Sequence, residues 1–111
     1  MNWKVLSEEG QLPAIMEESK ERPVVLFKHS TRCSISSMAK SRLERSTQPE
    51  NMSFYYLDLI RYRGISNKIA DDFQVAHESP QVLVIRNGEC IYDESHNGIQ
   101  MADLAEFAQV P

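Results

Sequence analysis

The sequence predicts an α/β fold, a central mixed β-sheet flanked by helices. Three observations carry this. Short apolar runs alternate along the chain with stretches whose apolar residues recur at helical spacing. One run, Val24-Val25-Leu26-Phe27, is apolar without interruption, as in a strand covered on both faces. Near the C-terminus Asn87-Gly88, the pair favoured in a two-residue type I′ turn, separates two strand-like segments and predicts an antiparallel hairpin.

The elements follow in order. Trp3 to Leu6 reads as a short first strand. Pro13 is tolerated only in the first turn of a helix, so a helix starts near Gln11 and runs to about Lys20. Arg22-Pro23 breaks the chain before strand Val24–Phe27. After the polar stretch Lys28 to Arg32, residues Ile35, Met38, Ala39 and Leu43 fall on one helical face, expected to point to the core. Pro49-Glu50-Asn51 ends that region, and Met52 to Ile60 reads as an aromatic-rich strand. Ile65, Ile69 and Phe73 recur every fourth residue, which predicts a helix over roughly Gly64 to Phe73. The loop Val75 to Pro80 leads into strand Val82 to Arg86, and Cys90 to Ser95 returns beside it. A last helix turns Leu104, Phe107 and Ala108 inward. The order β-α-β-α-β-α-β-β-α, with a cysteine after the buried strand and an X-Pro loop before a terminal hairpin and helix, is the thioredoxin-like arrangement.

The chain of 111 residues suits a single domain, 1–111, able to bury its own core. A net charge of −4 gives no nucleic-acid footprint. No apolar run approaches the ~20 residues that span a bilayer. The N-terminus turns acidic at Glu8-Glu9 with no apolar signal region before it, so a cytoplasmic protein is expected. Two cysteines argue against a disulfide scaffold. The cysteine and histidine spacings suit no zinc site, and no metal is expected.

Cys33 is the expected working thiol. It stands where strand Val24–Phe27 gives way to the Ile35–Leu43 helix, and a helix start offers unpaired N–H groups and the positive end of the dipole. Both favour the thiolate, the attacking form, and Lys28 and Arg32 add positive charge. Its neighbours His29, Ser30, Thr31, Arg32 and Ser34 are too polar for a core position. Three residues on stands Ser36, whose hydroxyl cannot resolve a mixed disulfide, so an outside thiol must do so. Cys90 is a poor substitute. With Asn87-Gly88 as the turn it faces Ile85, and Ser95 faces Pro80. Cys90 then lies on the order of 16 Å from the Cys33 end at ~3.3 Å per residue, whereas a disulfide needs Cα atoms within about 7 Å. Ser79-Pro80 is the candidate cis peptide, although the local residues leave cis and trans equally open. His29, His77 and His96 fall at or near the Cys33 end of the sheet, and read equally as ligands or as solvent-touching loop residues.

Lys28-His29-Ser30-Thr31-Arg32-Cys33-Ser34-Ile35-Ser36 and His77-Glu78-Ser79-Pro80-Gln81 together resemble the YtxJ-type monothiol bacilliredoxins. The similarity spans nearly the whole chain, including Leu57-Asp58, Asn67-Lys68-Ile69-Ala70 and the Asn87-Gly88 hairpin with Ser95-His96. It implies a thioredoxin fold with a cis Pro80. It also implies a cytoplasmic oxidoreductase of bacterial redox homeostasis that removes bacillithiol, a cysteine–glucosamine–malate thiol, from protein mixed disulfides. Cys33 would be catalytic, and Thr31, Arg32, Ser34, Ser36, Ser79 and Pro80 would contact the substrate. The implied co-substrate is bacillithiol, with no tightly bound cofactor. The implied partners are bacillithiolated proteins and a low-molecular-weight thiol, acting on a monomer. One departure is Ser34, where the family often has proline; serine keeps a backbone N–H that proline lacks.

Bacillithiol's anionic malate would need donors, for which Lys28, Arg32, Arg61 and Arg63 are candidates. Other readings of the residues are glutaredoxin-like use of another small thiol, an iron–sulfur carrier across a dimer, and a redox-silent interaction module. Against the carrier, Ser-Ile-Ser follows Cys33, where cluster-binding glutaredoxins have Gly-Phe-Ser.

Overall fold

A computed structural model describes residues 1–109. The chain runs β1 (Trp3–Val5), α1 (Gln11–Glu18), β2 (Val24–His29), α2 (Ser34–Glu44), β3 (Ser53–Asp58), α3 (Arg63–Phe73), β4 (Gln81–Arg86), β5 (Glu89–Ser95) and α4 (Met101–Ala105). Short 3-10 turns cover His96–Gly98 and Glu106–Gln109. The sheet order is β1-β3-β2-β4-β5, parallel on one side of β2 and antiparallel on the other.

This order puts the uninterrupted apolar run at the centre. Along β2, side chains alternate between faces. Val24 and Leu26 pack with Leu12 and Ile15 of α1 and with Ile65, Ile69 and Phe73 of α3. Val25 and Phe27 pack with Ala39 and Leu43 of α2 and with Met101 and Leu104 of α4. The result is three layers, with each buried aliphatic or aromatic side chain contributing roughly 1.5–3 kcal/mol. Pro13 sits in the first turn of α1, where a missing N–H costs no helical bond. Phe107 closes the α2 side by packing on Tyr92, ring centroids 5.0 Å apart. Ala108 is half-buried there, as expected.

The hairpin turn is as the sequence predicts. Asn87 and Gly88 have φ of 54° and 76°, and Arg86 pairs with Glu89 around them. Ser19, just past α1, holds this turn: its carbonyl accepts from the Asn87 N–H and its hydroxyl from the Gly88 N–H.

Three expectations need correction. First, β2 continues through Lys28 and His29, both buried, because each finds a polar partner inside the protein. His29 is therefore a core strand residue, not a solvent-touching loop histidine. Second, the α2 stripe is divided: Ala39 and Leu43 are buried, whereas Ile35 and Met38 are 44% and 61% exposed. The core face of α2 is Ser36-Ala39-Leu43. Third, the register slips by one between Val84 and Ile85, where β5 carries the extra residue Ile91. Ile85 still faces Cys90, but Ser95 faces Gln81 and not Pro80.

Candidate functional site at the start of α2

The site is built where β2 ends. Past His29 the chain turns at Ser30, whose carbonyl accepts from the Cys33 N–H at 3.2 Å. Cys33 is the N-cap residue of α2, with extended φ and ψ of −111° and 122°. Its carbonyl takes the first helical bond, from the Ser37 N–H at 3.0 Å. Its side chain stands at the first turn of α2 and makes no capping hydrogen bond to it. Cys33 is half-buried and free, while Thr31, Arg32, Ser34 and Ile35 around it are exposed.

Ser36 behaves differently from its expected role as a substrate contact. It is fully buried, and its Oγ lies 2.6 Å from His29 Nδ1 while accepting from the Ser30 N–H at 3.0 Å. Burial, with Lys40 adding to it, holds the His29 imidazole below its usual pKa and so neutral. The ring and the Ser36 hydroxyl share one hydrogen bond, whose direction follows the tautomer of the ring, and the same hydroxyl oxygen receives from the Ser30 N–H. Ser36 thus locks the turn that presents Cys33. His29 is held in turn by stacking on Phe27 at 5.7 Å, with Tyr56 tilted against it at 5.5 Å.

The loop before β4 lies at the same end of the sheet. Lys28↔Gln81 is the last pair between β2 and β4, so Pro80 stands just beyond it, beside the turn into Cys33. The Ser79-Pro80 peptide is cis. Pro80 is buried and its carbonyl accepts from the His96 N–H at 3.0 Å. The half-buried Ser79 has a buried Oγ with no hydrogen-bond partner among the described residues. Among the histidines, His96 faces Glu78 at 3.8 Å on the exposed rim, and His77 lies on the opposite side of the loop.

Of the four cation candidates, Arg32 is exposed next to Cys33. Arg61 lies over the Tyr62 ring at 5.3 Å, and Arg63 opens α3. Lys28 is not available to an anion at the surface: it is 0% exposed and points to the α1–α3 layer, with Nζ 3.4 Å from His77 Nδ1. Burial lowers its pKa to about 8.

Sequence reasoning missed two features. One is this buried Lys28–His77 contact. The other is a shallow groove of about 380 Å³ lined by Ser37, Met38, Ser41, Arg42 and Arg45. Arg42 is fixed there by donating to the Ile99 carbonyl from Nε at 3.0 Å and Nη2 at 2.9 Å. The four-residue spacing Cys33, Ser37, Ser41, Arg45 is a signal that could have found it, because such residues share a helix face.

Cys90 packs against the α1–α3 core, and burial pushes its thiol pKa up, away from the reactive form. A Cys90→Ser variant is expected to exchange thiols at the wild-type rate in a stopped assay; loss of most activity would show that Cys90 takes part.

A half-buried thiol capping a helix, an X-Pro loop beside it and this sheet order define a thiol redox protein of the thioredoxin fold. The chain belongs to the family described as monothiol bacilliredoxin BrxC, which it matches over residues 4–104. It is similar in structure to a thioredoxin-fold protein described as a candidate oxidoreductase, with TM-score 0.82 and 34% identity over 94% of this chain and 91% of the other. Thioredoxin from Fasciola hepatica shares the fold with TM-score 0.72 and 18% identity, covering 93% of both chains. Oxidised thioredoxin from Plasmodium falciparum does so with TM-score 0.74 and 16% identity, covering 96% of this chain and 99% of that one. No helix among the described residues is long and apolar enough to cross a membrane.

Proposed function

We propose that this protein removes bacillithiol from protein mixed disulfides, with Cys33 as nucleophile. The observation that carries the reading is the pairing of a half-buried thiol at the N-cap of α2 with a buried, non-thiol Ser36 one turn on. The Cys33 thiolate attacks the bacillithiol sulfur, the substrate protein leaves as its thiolate, and bacillithiol is now disulfide-bonded to Cys33. A second, outside thiolate then attacks that bacillithiol sulfur and releases Cys33. One S–S bond replaces another at each step, so the substrate protein is reduced and the outside thiol is oxidised.

Two features support a small anionic thiol as the cargo. Exposed Thr31, Arg32 and Ser34 rim the thiol. The groove one turn along α2 carries Arg42 and Arg45, with no carboxylate paired to either among the described residues. Malate carboxylates suit such donors. Pro80 closes the site on the sheet side as a packed wall. The reading also carries a monomeric, cytoplasmic protein that needs no bound cofactor.

The test is incubation of the purified protein with a bacillithiolated test protein, followed by intact-mass and peptide mass spectrometry. The expected result is bacillithiol on Cys33 and a free thiol on the test protein, with no transfer in Cys33→Ser. A parallel glutathionylated substrate should transfer at least about tenfold more slowly, since 1.4 kcal/mol of preference suffices for that ratio. Equal or faster transfer of glutathione would replace the bacillithiol assignment with a general small-thiol one, and no transfer of either would overturn the reading.

A further inference from the structure

We propose that Lys28 and His77 form a positioning pair that fixes the 75–80 segment against the sheet beside Cys33, so that the segment is already in place when a substrate arrives. The inference deepens the proposed function and rests on it only for the identity of the substrate.

A charged lysine on the central strand of a sheet, with no exposed surface, is costly unless it serves as a tie. Its surroundings show what is tied. Lys28 Nζ donates to His77 Nδ1 at 3.4 Å, and Ser66 Oγ, from α3, reaches the same nitrogen at 3.3 Å. Both distances are long, as expected when two donors share one lone pair. Gln81, directly opposite Lys28 in the ladder, donates from Nε2 to the Ala76 carbonyl at 3.1 Å. Its Oε1 is buried and without a partner among the described residues. Two neighbouring strands therefore each send one side chain into consecutive loop residues, Ala76 and His77. Beyond them the segment is anchored again where Pro80 accepts from His96. Between these anchors lie Glu78 and Ser79, the residues next to the thiol end of the sheet.

An acceptor at Nδ1 places the His77 proton on Nε2. His77 is exposed, so this ring orientation is not imposed by packing. The Lys28 and Ser66 contacts impose it. Lys28 and His77 both act on the reacting sulfur only through the loop.

The test uses the full-length protein and three variants. Lys28→Met and His77→Leu are each expected to raise KM for a bacillithiolated protein roughly tenfold, the scale on which small misplacements act, with kcat changed less. The Lys28→Met/His77→Leu double variant is expected to be no worse than either single change, because the two form one unit. His77→Asn retains an acceptor near the Nδ1 position and is expected to restore most of the KM. Alkylation of Cys33 by iodoacetamide, which needs no loop, should change less than about twofold in any of them. Nitrogen NMR should find the Nε2–H tautomer of His77 in the wild type and a tautomer mixture in Lys28→Met, with faster amide exchange over 76–79. These last readouts involve no substrate, so they test the pair even if bacillithiol proves not to be the cargo. A His77→Asn variant as impaired as His77→Leu would mean that the imidazole itself meets the substrate and would overturn the proposal. So would an unchanged KM in Lys28→Met, or an unchanged tautomer and exchange rate.

Discussion

A Ser36→Cys variant is expected to form a disulfide between Cys33 and the new thiol, and to resolve its own mixed disulfides. The geometry is that of a helix start. Cys33 is the N-cap and Ser36 is the third helical residue, positions whose side chains face each other in capping boxes. Cα atoms so placed fall within the ~4.4–6.8 Å span that a disulfide bridges. The new sulfur would inherit the contact with the neutral His29 imidazole. Losing the Ser36 bonds to His29 and Ser30 costs about 1 kcal/mol each, which the core around Ala39 and Leu43 tolerates. The kinetic change is far larger. Well-oriented intramolecular reactions reach effective concentrations on the order of 10⁵ M; a thiol reaching only ~1 M would already, against a millimolar outside thiol, shorten the life of the mixed disulfide by roughly 10³-fold. Quenched-flow mass spectrometry of the bacillithiol adduct would measure it. A Ser36→Cys adduct that lives as long as the wild-type one would show that position 36 cannot reach the sulfur.

Lys28→Met is expected to be more stable than the wild type at pH 7, while being the poorer enzyme. The ammonium of Lys28 is buried, and its pKa falls to about 8 from an ordinary 10.5. The unfolded chain therefore binds more protons than the folded one between these two values, and wild-type stability rises with pH across that window. Below about pH 8 the full cost of carrying the charge inward is present. Each unit is worth about 1.4 kcal/mol, which sets a ceiling of about 3 kcal/mol. Methionine fills a similar volume without that charge, and loses about 1 kcal/mol of hydrogen bonding to His77. Urea unfolding at pH 7 should then favour Lys28→Met by about 2 kcal/mol, with the advantage gone by pH 10.5. Subtracting the two pH curves removes the tyrosines and Cys90, which titrate in both proteins. A difference that stays flat with pH would show that Lys28 is not charged inside the fold.

Much of the fold was legible because it is written in apolar periodicity. The run Val24–Phe27 marked the central strand, Ile65, Ile69 and Phe73 marked the buried face of α3, and Asn87-Gly88 marked the turn. The working thiol was legible for a related reason: a cysteine among polar residues between a strand and a helix has few structural explanations. What escaped was polarity inside the protein. Lys28 and His29 read as loop because hydropathy cannot register a partner 49 or seven residues away, yet His77 and Ser36 are those partners. The same blindness misassigned α2. Its core face contains Ser36, so the eye moves to Ile35 and Met38, which the fold leaves in solvent beside Cys33. The bulge at Ile91 had no local signature, since one extra residue in an edge strand leaves composition unchanged.

The outer strands of the sheet bear on how such a protein avoids sticking to its own clients. β1 is only three residues long and ends the sheet with Lys4, which reaches across to Glu18. At the opposite border β5 is kinked by the Ile91 insertion and shows Glu89 and Asp93 outward. Short length, a kink and outward charge each deter a foreign strand from annealing along a border. Under the proposed reaction, a half-unfolded client that presents extended backbone while Cys33 takes its bacillithiol is thus offered little to zip onto. It meets one end of the molecule and leaves as its thiolate, not recruited into a growing sheet.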